Sequence, residues 1–413
     1  MTRIALAIDL GTTTLAASLV DCSDGRRIAM LGAMNPQRRY GADVVSRLDA
    51  AIGSGSVQKE MTDLIRAELL RMAHELCRLT GIAWKDVGRA AIAGNPAMQH
   101  ILMGLPLKSL AFPPYRPLRT CGTHLNSVDL DWDGNAEIYV FPMPGGFVGG
   151  DTVSFLYGAD PGDATLCLDM GTNGEIALLN GDRIWATSAA AGPAFEGGNL
   201  SCGMVALPGA INSVRIEEDR VRLQVIGNGQ PLGICGSAAI EAITELLRCG
   251  IMEASGRLYD AAEVSSNLSS RIISHKGANA FVLHRDAQRL ILLTQDDIRQ
   301  VQLAKSAIRA GIEIIAEKSR IHCQGLKNVI LTGSFGAVLR ADWLKTIGVF
   351  DESMIHITRF TPEGALVGAE TALARSDGFG SVEDFGQRFR VVPLSGTPIF
   401  ETRFFQNINF PRS

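Results

Sequence analysis

The sequence predicts an α/β protein of two domains, made by duplicating one strand–turn–strand unit. Three observations predict it. Asp9-Leu10-Gly11-Thr12-Thr13-Thr14 returns in kind as Asp169-Met170-Gly171-Thr172-Asn173-Gly174. Each copy follows an apolar run without alternation, Ile4 to Ile8 and Ala164 to Leu168, as suits strands buried on both faces. Each also leads into a hairpin signal, Asp24-Gly25 or Asn180-Gly181, where a type I′ turn needs positive φ. At 413 residues the chain exceeds one ordinary core, so two or more domains are expected on size alone.

The turn suggests its own chemistry. An Asp ending a buried strand is costly unless a cation or hydrogen bonds satisfy it. The glycine lets backbone approach a ligand, and small Thr or Asn residues offer N–H and hydroxyl donors to phosphate. Two such turns facing each other would hold a nucleotide's phosphates between two domains, with Mg²⁺ near Asp9 and Asp169. A single Asp-x-Gly-Thr can be a tight turn and nothing more. Two in matching contexts argue against that.

Composition narrows the class. A chain with 46% hydrophobic and 20% charged residues reads as soluble and globular. No apolar run reaches the length of a membrane span, and Asp9 interrupts the N-terminal run too early for a signal peptide; the cytoplasm is the expected compartment. A net charge of −4 with no basic aromatic cluster gives no attraction to nucleic acid. Eight cysteines are scattered, with no Cys-x-x-Cys spacing, so neither zinc nor an iron–sulfur cluster is expected in this chain.

Taken in order, Asn35 to Arg47 reads as a loop entering a helix, and Gln58 to Leu79 as an amphipathic helix ended by Gly81. Val87 to Ala93 is a strand closed by Gly94-Asn95-Pro96; Asn95 and His100 suggest a catalytic role, but helix entry for Asn95 and a surface position for His100 are favoured. Phe112 to Pro117 is extended, a rigid edge or a partner surface. Pro144 to Asp151 is a glycine-rich entry to a helix expected to bridge the domains, and Asp151 is either its N-cap or a group orienting water or Mg²⁺. Glu196 is the single acid in a small-residue loop, and Glu218-Asp219 marks a hairpin. Gly236 and Ser237 open a helix, where an anion or ribose contact or plain packing would suit them. Thr294 to Glu317 is a long helix with an acidic start and Lys305 exposed. Asn328 to Gly336 is a buried strand ending in a third glycine turn, Gly333-Ser334-Phe335-Gly336. A small-residue helix from Ala365 to Ala374 is expected in the second domain.

In this order the motifs resemble the sugar kinase, heat-shock chaperone and actin superfamily. More specifically the chain is similar to the C-terminal ATPase part of the reductive activators of corrinoid enzymes. The matching segments are 9–14, 35–47, 145–151, 169–175, 191–199, 235–240 and 331–336. The resemblance implies two ribonuclease-H-like domains with an interdomain nucleotide cleft. The first covers 1–160 with a loop and helix insertion at 35–60, the second 161–375, and a tail over 376–413 packs on the body.

The implied activity is Mg²⁺-dependent ATP hydrolysis coupled to reduction of Co(II) to Co(I) in a corrinoid protein or corrinoid-dependent methyltransferase. Asp9 and Asp169 would hold Mg²⁺, mostly through water. Gly11, Thr12, Thr13, Gly171, Thr172 and Asn173 would contact phosphates. Gly333, Ser334 and Gly336 would border the adenosine, with Gly236 and Ser237 nearby, and Asp151 would serve the hydrolytic water. In that family an N-terminal [2Fe–2S] domain supplies the electron. This sequence begins almost at the first ATPase strand, so it is a fragment or its electron carrier is a separate ferredoxin-like protein. A homodimer remains open. The rival readings are a small-molecule kinase of the same fold, with Asp151 as base toward a substrate hydroxyl, and a non-catalytic nucleotide-binding scaffold.

Overall fold

The computed structural model describes residues 3–333 and 339–412. Ser334 and Gly336, expected beside the adenosine, lie outside the described residues. The chain divides into two compact units: Met1–Asp163 with Leu179–Ala186 and Glu363–Val392, and Ala164–Leu178 with Thr187–Pro362 and Pro393–Ser413.

The first part begins with β1 (Ile4–Leu10), β2 (Thr14–Asp21) and β3 (Arg26–Met34), then α1 (Val44–Gly53) and α2 (Gly55–Thr80). There follow β4 (Val87–Gly94), α3 (Pro96–Met103), α4 (Lys108–Ala111), β5 (Thr123–Asn126), β6 (Glu137–Val140) and α5 (Gly150–Ala159). The sheet order is β3-β2-β1-β4-β6-β5. β1 runs antiparallel to β2 and parallel to β4, and Ala5 to Ile8 are fully buried, as the unalternating run requires. On α2, Met61, Ile65, Leu69, Met72 and Leu76 form one buried stripe, and Gly81 ends the helix at φ 72°. The first hairpin differs from the two-residue turn expected: residues 22–25 form the loop, and Gly25 takes the positive φ. His100, expected at the surface, is fully buried. Its Nε2 accepts the Leu118 N–H at 3.3 Å while Nδ1 lies 3.0 Å from the Pro106 carbonyl, and burial lowers its pKa, which keeps the ring neutral.

The second part opens with β7 (Thr165–Met170), β8 (Gly174–Asn180) and β9 (Arg183–Ala189). A small sheet of β10 (Ala210–Glu217), β11 (Arg220–Val225) and β12 (Gly233–Ile234) precedes α6 (Gly236–Arg248). Its hairpin places Glu218 and Asp219 at φ 48° and 58°, where the sequence expected the turn. A second small sheet, β13 (Ile272–His275), β14 (Ala278–Arg285) and β15 (Leu290–Thr294), leads into α7 (Gln295–Ser319), capped by a reciprocal Thr294–Asp297 box. β16 (Asn328–Thr332), α8 (Ala341–Thr346) and β17 (Thr358–Phe360) follow. The chain ends with α9 (Gly364–Ala374), α10 (Gly380–Gln387), β18 (Phe389–Val391) and α11 (Pro398–Gln406).

The second large sheet has the order β17-β16-β7-β8-β9-β18. β7 is antiparallel to β8 and parallel to β16, and β16 is parallel to β17. Read from the first hairpin inward, β9-β8-β7-β16-β17 repeats β3-β2-β1-β4-β6. The ribonuclease-H-like order therefore occurs twice, and the sequence repeat is a repeat of fold.

Helix α9 departs from expectation. It belongs to the first unit, with α5 as neighbour. The reason is its small-residue face. A Cβ on Gly158 would fall 2.6 Å from the Gly368 Cα, and one on Gly368 would fall 1.7 Å from the Ser154 carbonyl oxygen, so backbone meets backbone only because both are glycine. Glu370 accepts the Ser18 hydroxyl at 2.5 Å and the Arg27 guanidinium at 2.6 Å, which tie the same helix to β2 and β3. The tail beyond residue 375 is also shared out: 376–392 cluster with the first unit and 393–413 with the second.

Lys305 is the other correction, for it is buried. Its ammonium donates to the Asn409 carbonyl and lies 5.6 Å from the Phe410 ring centroid, and burial pulls its pKa down to about 8. The unfolded chain holds that proton to about pH 10, so unfolding takes up a proton between about pH 8 and 10 and this lysine's contribution to stability rises over that window. The melting-temperature advantage of Lys305→Met over the wild type is therefore expected to shrink from about pH 7 to about pH 10. A pH-independent difference would contradict it.

Candidate functional site: two acidic turns

Each unit carries one of the predicted turns at the end of its first strand. In the first, β1 is buried up to Ile8, while Asp9, Gly11, Thr12 and Thr13 are partly exposed. In the second, β7 is buried up to Leu168, while Asp169, Gly171, Thr172 and Asn173 are partly exposed. Asp9 stands opposite Ala16 and Ala93 in its sheet, and Asp169 opposite Glu175 and Thr332. Both carboxylates thus leave a buried strand at the same place in the topology.

The first turn is held by two asparagines. Asn35 Nδ2 donates to the Gly11 carbonyl at 2.9 Å, and its backbone N–H donates to the Thr13 carbonyl at 3.0 Å. Asn95 Nδ2 donates to Thr12 Oγ1 at 2.8 Å while Asn95 Oδ1 caps α3 through the Met98 N–H. Because Thr12 Oγ1 accepts there, its own proton is left to donate elsewhere. Asn95 is thus the helix entry expected, and it also positions the Thr12 hydroxyl. An added Cβ on Gly11 would lie 2.4 Å from the Thr14 carbonyl oxygen.

Asp151 sits in the first turn of α5, but it is not the N-cap: Gly149 holds that position. Gly149 packs where a Cβ would strike Asn95 Cα at 2.7 Å. The Gly150 N–H donates to Gln99 Oε1 at 3.2 Å, and Gln99 Nε2 donates to the Phe141 carbonyl at 2.9 Å. Fully buried Gln99 therefore sets the helix start. Desolvation pushes the Asp151 carboxyl up to about 6, against its hydrogen bonds from the Thr152 N–H and hydroxyl. A carboxyl poised there can take a proton near neutral pH.

In the second unit the predicted residues are brought together. Thr172 Oγ1 donates to Glu196 Oε2 at 2.5 Å, and the Gly192 N–H donates to the Thr172 carbonyl. Glu196 thus reaches the acidic turn from the short 3-10 helix Pro193–Glu196. The start of α6 lies against that helix: a Cβ on Gly236 would fall 1.8 Å from the Phe195 carbonyl oxygen. Buried Ser237 sits with its hydroxyl 3.2 Å from Cys235 Sγ. Gly333 takes φ 132° with its Cβ position 2.7 Å from the Met170 carbonyl oxygen, which lays Gly333 beside the second acidic turn. The two motif glycines differ, since a Cβ on Gly171 would meet nothing closer than 3.6 Å. Gly11→Ala should therefore lower stability by about 1–3 kcal/mol in thermal melts, and Gly171→Ala should leave the melt unchanged. Equal melts would contradict this.

Each turn by itself offers the donors that suit a hard cation with bound phosphate: a carboxylate, hydroxyl or amide side chains, and glycine-cradled backbone. Among the described residues no group of three or more His, Cys, Asp or Glu is placed to hold a metal ion. Among the described residues no helix is long and apolar enough to cross a membrane.

Comparison with known proteins matches two family models in succession along the chain. A family model described as the C-terminal, ASKHA domain of RACo matches residues 163–413, and one described as the RACo middle region matches 4–160. The corrinoid activation enzyme RamQ of Eubacterium limosum is 30% identical over 424 residues, covering 98% of this chain and 70% of that protein. The [Co(II) methylated amine-specific corrinoid protein] reductase of Methanosarcina barkeri is 25% identical over 409 residues, covering 90% and 70%. A solved structure of a reductive activator for corrinoid, iron-sulfur protein superposes with a TM-score of 0.87 at 29% identity, over 100% of this chain and 67% of that one.

Proposed function

This chain belongs to the RACo family, and from that premise we propose that it is an ATPase that drives reduction of the cobalt of a corrinoid protein from Co(II) to Co(I). The electron comes from a separate ferredoxin-like protein or from an iron–sulfur domain outside this sequence. The observation that carries the ATP reading is the acidic turn repeated at the same topological position in both units. The names of the relatives support the corrinoid target.

Asp9 and Asp169 would hold Mg²⁺, which would supply charge neutralisation for the phosphates. Gly11, Thr12 and Thr13 present backbone N–H groups and the Asn95-oriented Thr12 hydroxyl to phosphate oxygens. Gly171, Thr172 and Asn173 do the same with backbone donors, since the Thr172 hydroxyl already serves Glu196. Gly333 borders the adenosine with Gly236 and Ser237 nearby, and Ser334 and Gly336 are assigned there from sequence. Asp151 accepts the proton of the attacking water. Little covalent work falls to the protein, so positioning and electrostatics carry the rate.

The direct test supplies a purified corrinoid protein in the Co(II) state with an external reductant, and follows Co(I) absorbance with and without ATP. ATP-dependent Co(I) formation is expected. Equal Co(I) with and without ATP would overturn the reading, and fast ADP release with a hydroxylated small molecule would favour a kinase.

A further inference from the structure

Arg47, on α1, is a cation in an unfavourable place. Its side chain is fully buried. Nε donates to the Gly41 carbonyl at 3.1 Å, Nη1 lies 3.5 Å from Met98 Sδ, and Nη2 is buried with no hydrogen-bond partner. A thioether is a weak acceptor, so the guanidinium meets one good acceptor and no carboxylate. The acid whose charge reaches it, Asp43, spends its carboxylate on the Ser46 N–H at 2.8 Å as the cap of α1. Arg47 also closes the first turn of that helix, its N–H donating to the Asp43 carbonyl, where the helix dipole disfavours a cation. Burial pulls its pKa down to about 10 and still leaves it charged at neutral pH. A buried ion without a counter-charge destabilises a fold, so folding alone does not account for this arginine.

Its surroundings lead to the first acidic turn. The Met98 sulfur that Nη1 meets also lies 3.7 Å from Asn35 Nδ2, the nitrogen that donates to the Gly11 carbonyl. The Met98 N–H donates to Asn95 Oδ1, and Asn95 Nδ2 holds the Thr12 hydroxyl. Met98 therefore touches both asparagines that fix the turn, and the guanidinium touches Met98. Among residues 9–14 and these two asparagines, Asp9 alone is charged. The side chains of the turn offer a phosphate no cation.

We propose that Arg47 supplies a positive field behind the first phosphate turn and tightens nucleotide binding as phosphate charge increases. The inference rests on the ATP reading above and adds a charge that comes from the protein itself. A buried guanidinium acts through protein interior, where charges interact more strongly than in water and salt screens them less. Met98 and Asn35 stand between it and the turn, so Arg47 favours the bound anion without touching it.

The test titrates Mg²⁺·ATP and Mg²⁺·ADP calorimetrically into the full chain, with thermal melts alongside. Arg47→Met keeps the bulk without the charge and should weaken ATP binding about tenfold, with a smaller loss for ADP. Its melting temperature should be no lower than wild type, because a buried unpaired charge has gone. Arg47→Lys, which keeps the charge, should bind ATP within about threefold of wild type. Arg47→Gln keeps a donor for the Gly41 carbonyl and should match the methionine variant, so the inference does not hang on one substitution. Wild-type ATP affinity in both neutral variants would overturn it and spare the ATP reading. Equal losses for ATP and ADP together with a lowered melt would assign Arg47 to structure and also overturn it. A wild-type chain that binds no ATP would overturn both.

Discussion

Asp169→Ala is expected to lower Mg²⁺-dependent ATP turnover by about 10²-fold or more, measured as phosphate release at saturating ATP. The fold should survive. Asp169 ends a strand whose other residues supply the core, is itself partly exposed, and faces Glu175 and Thr332 across the sheet. Removing one of three nearby polar side chains at a strand end is a modest change to packing, so the melting temperature should move little. Turnover within about threefold of wild type would be far from the scale at which a preorganised charge is lost, and would remove Asp169 from the reaction. Asp169→Asn separates charge from shape: it should be nearly as inactive as the alanine variant.

Asp151→Asn carries the second large effect, and its distinguishing feature is pH. With its carboxyl pushed up to about 6 by desolvation, Asp151 is protonated below that pH and cannot accept a proton from water. Wild-type turnover should therefore fall on the acid side of about pH 6, by about tenfold per unit well below it. Asp151→Asn should lose about 10²-fold or more at neutral pH and lose that acid limb with it. The stability sign is opposite. A carboxyl whose folded pKa is raised gives a contribution present at low pH and lost as pH rises through about 6, so at pH 8 the ionised group is a cost that asparagine relieves. A variant that is less active yet melts no lower marks a residue kept for function. Retained activity with an unchanged acid limb would assign the water to another group.

Much of this was legible from residue order. The unalternating runs before Asp9 and Asp169 announced central strands, and the doubled turn announced a doubled sheet, because burial on both faces leaves no polar position to alternate. Helix boundaries were equally plain where a cap decided them, as at Gly81. What escaped was contact made by backbone or over long sequence distance. Nothing local in 364–374 says that Gly368 meets Gly158, so residue order alone does not place this helix beside α5. Lys305 and His100 looked like surface residues because their partners are carbonyls, at Asn409 and Pro106, and a carbonyl has no sequence signature. Gln99 and Asn35 escaped for the same reason, since each works by holding backbone. The Glu196–Thr172 hydrogen bond joins residues of two different motifs. Neither motif alone carries a signal for the other.

The measurement closest to the core of this account is a calorimetric titration of ATP, with and without Mg²⁺, into the wild type, Asp9→Ala, Asp169→Ala and the double variant. If one Mg²⁺·ATP is shared by both carboxylates, Mg²⁺ tightens ATP binding in the wild type. Either single substitution then removes most of that gain, and the double variant loses little more than either. Mg²⁺ enhancement that survives intact in one single variant, or losses that simply add in the double, would mean that Asp9 and Asp169 do not serve one ion.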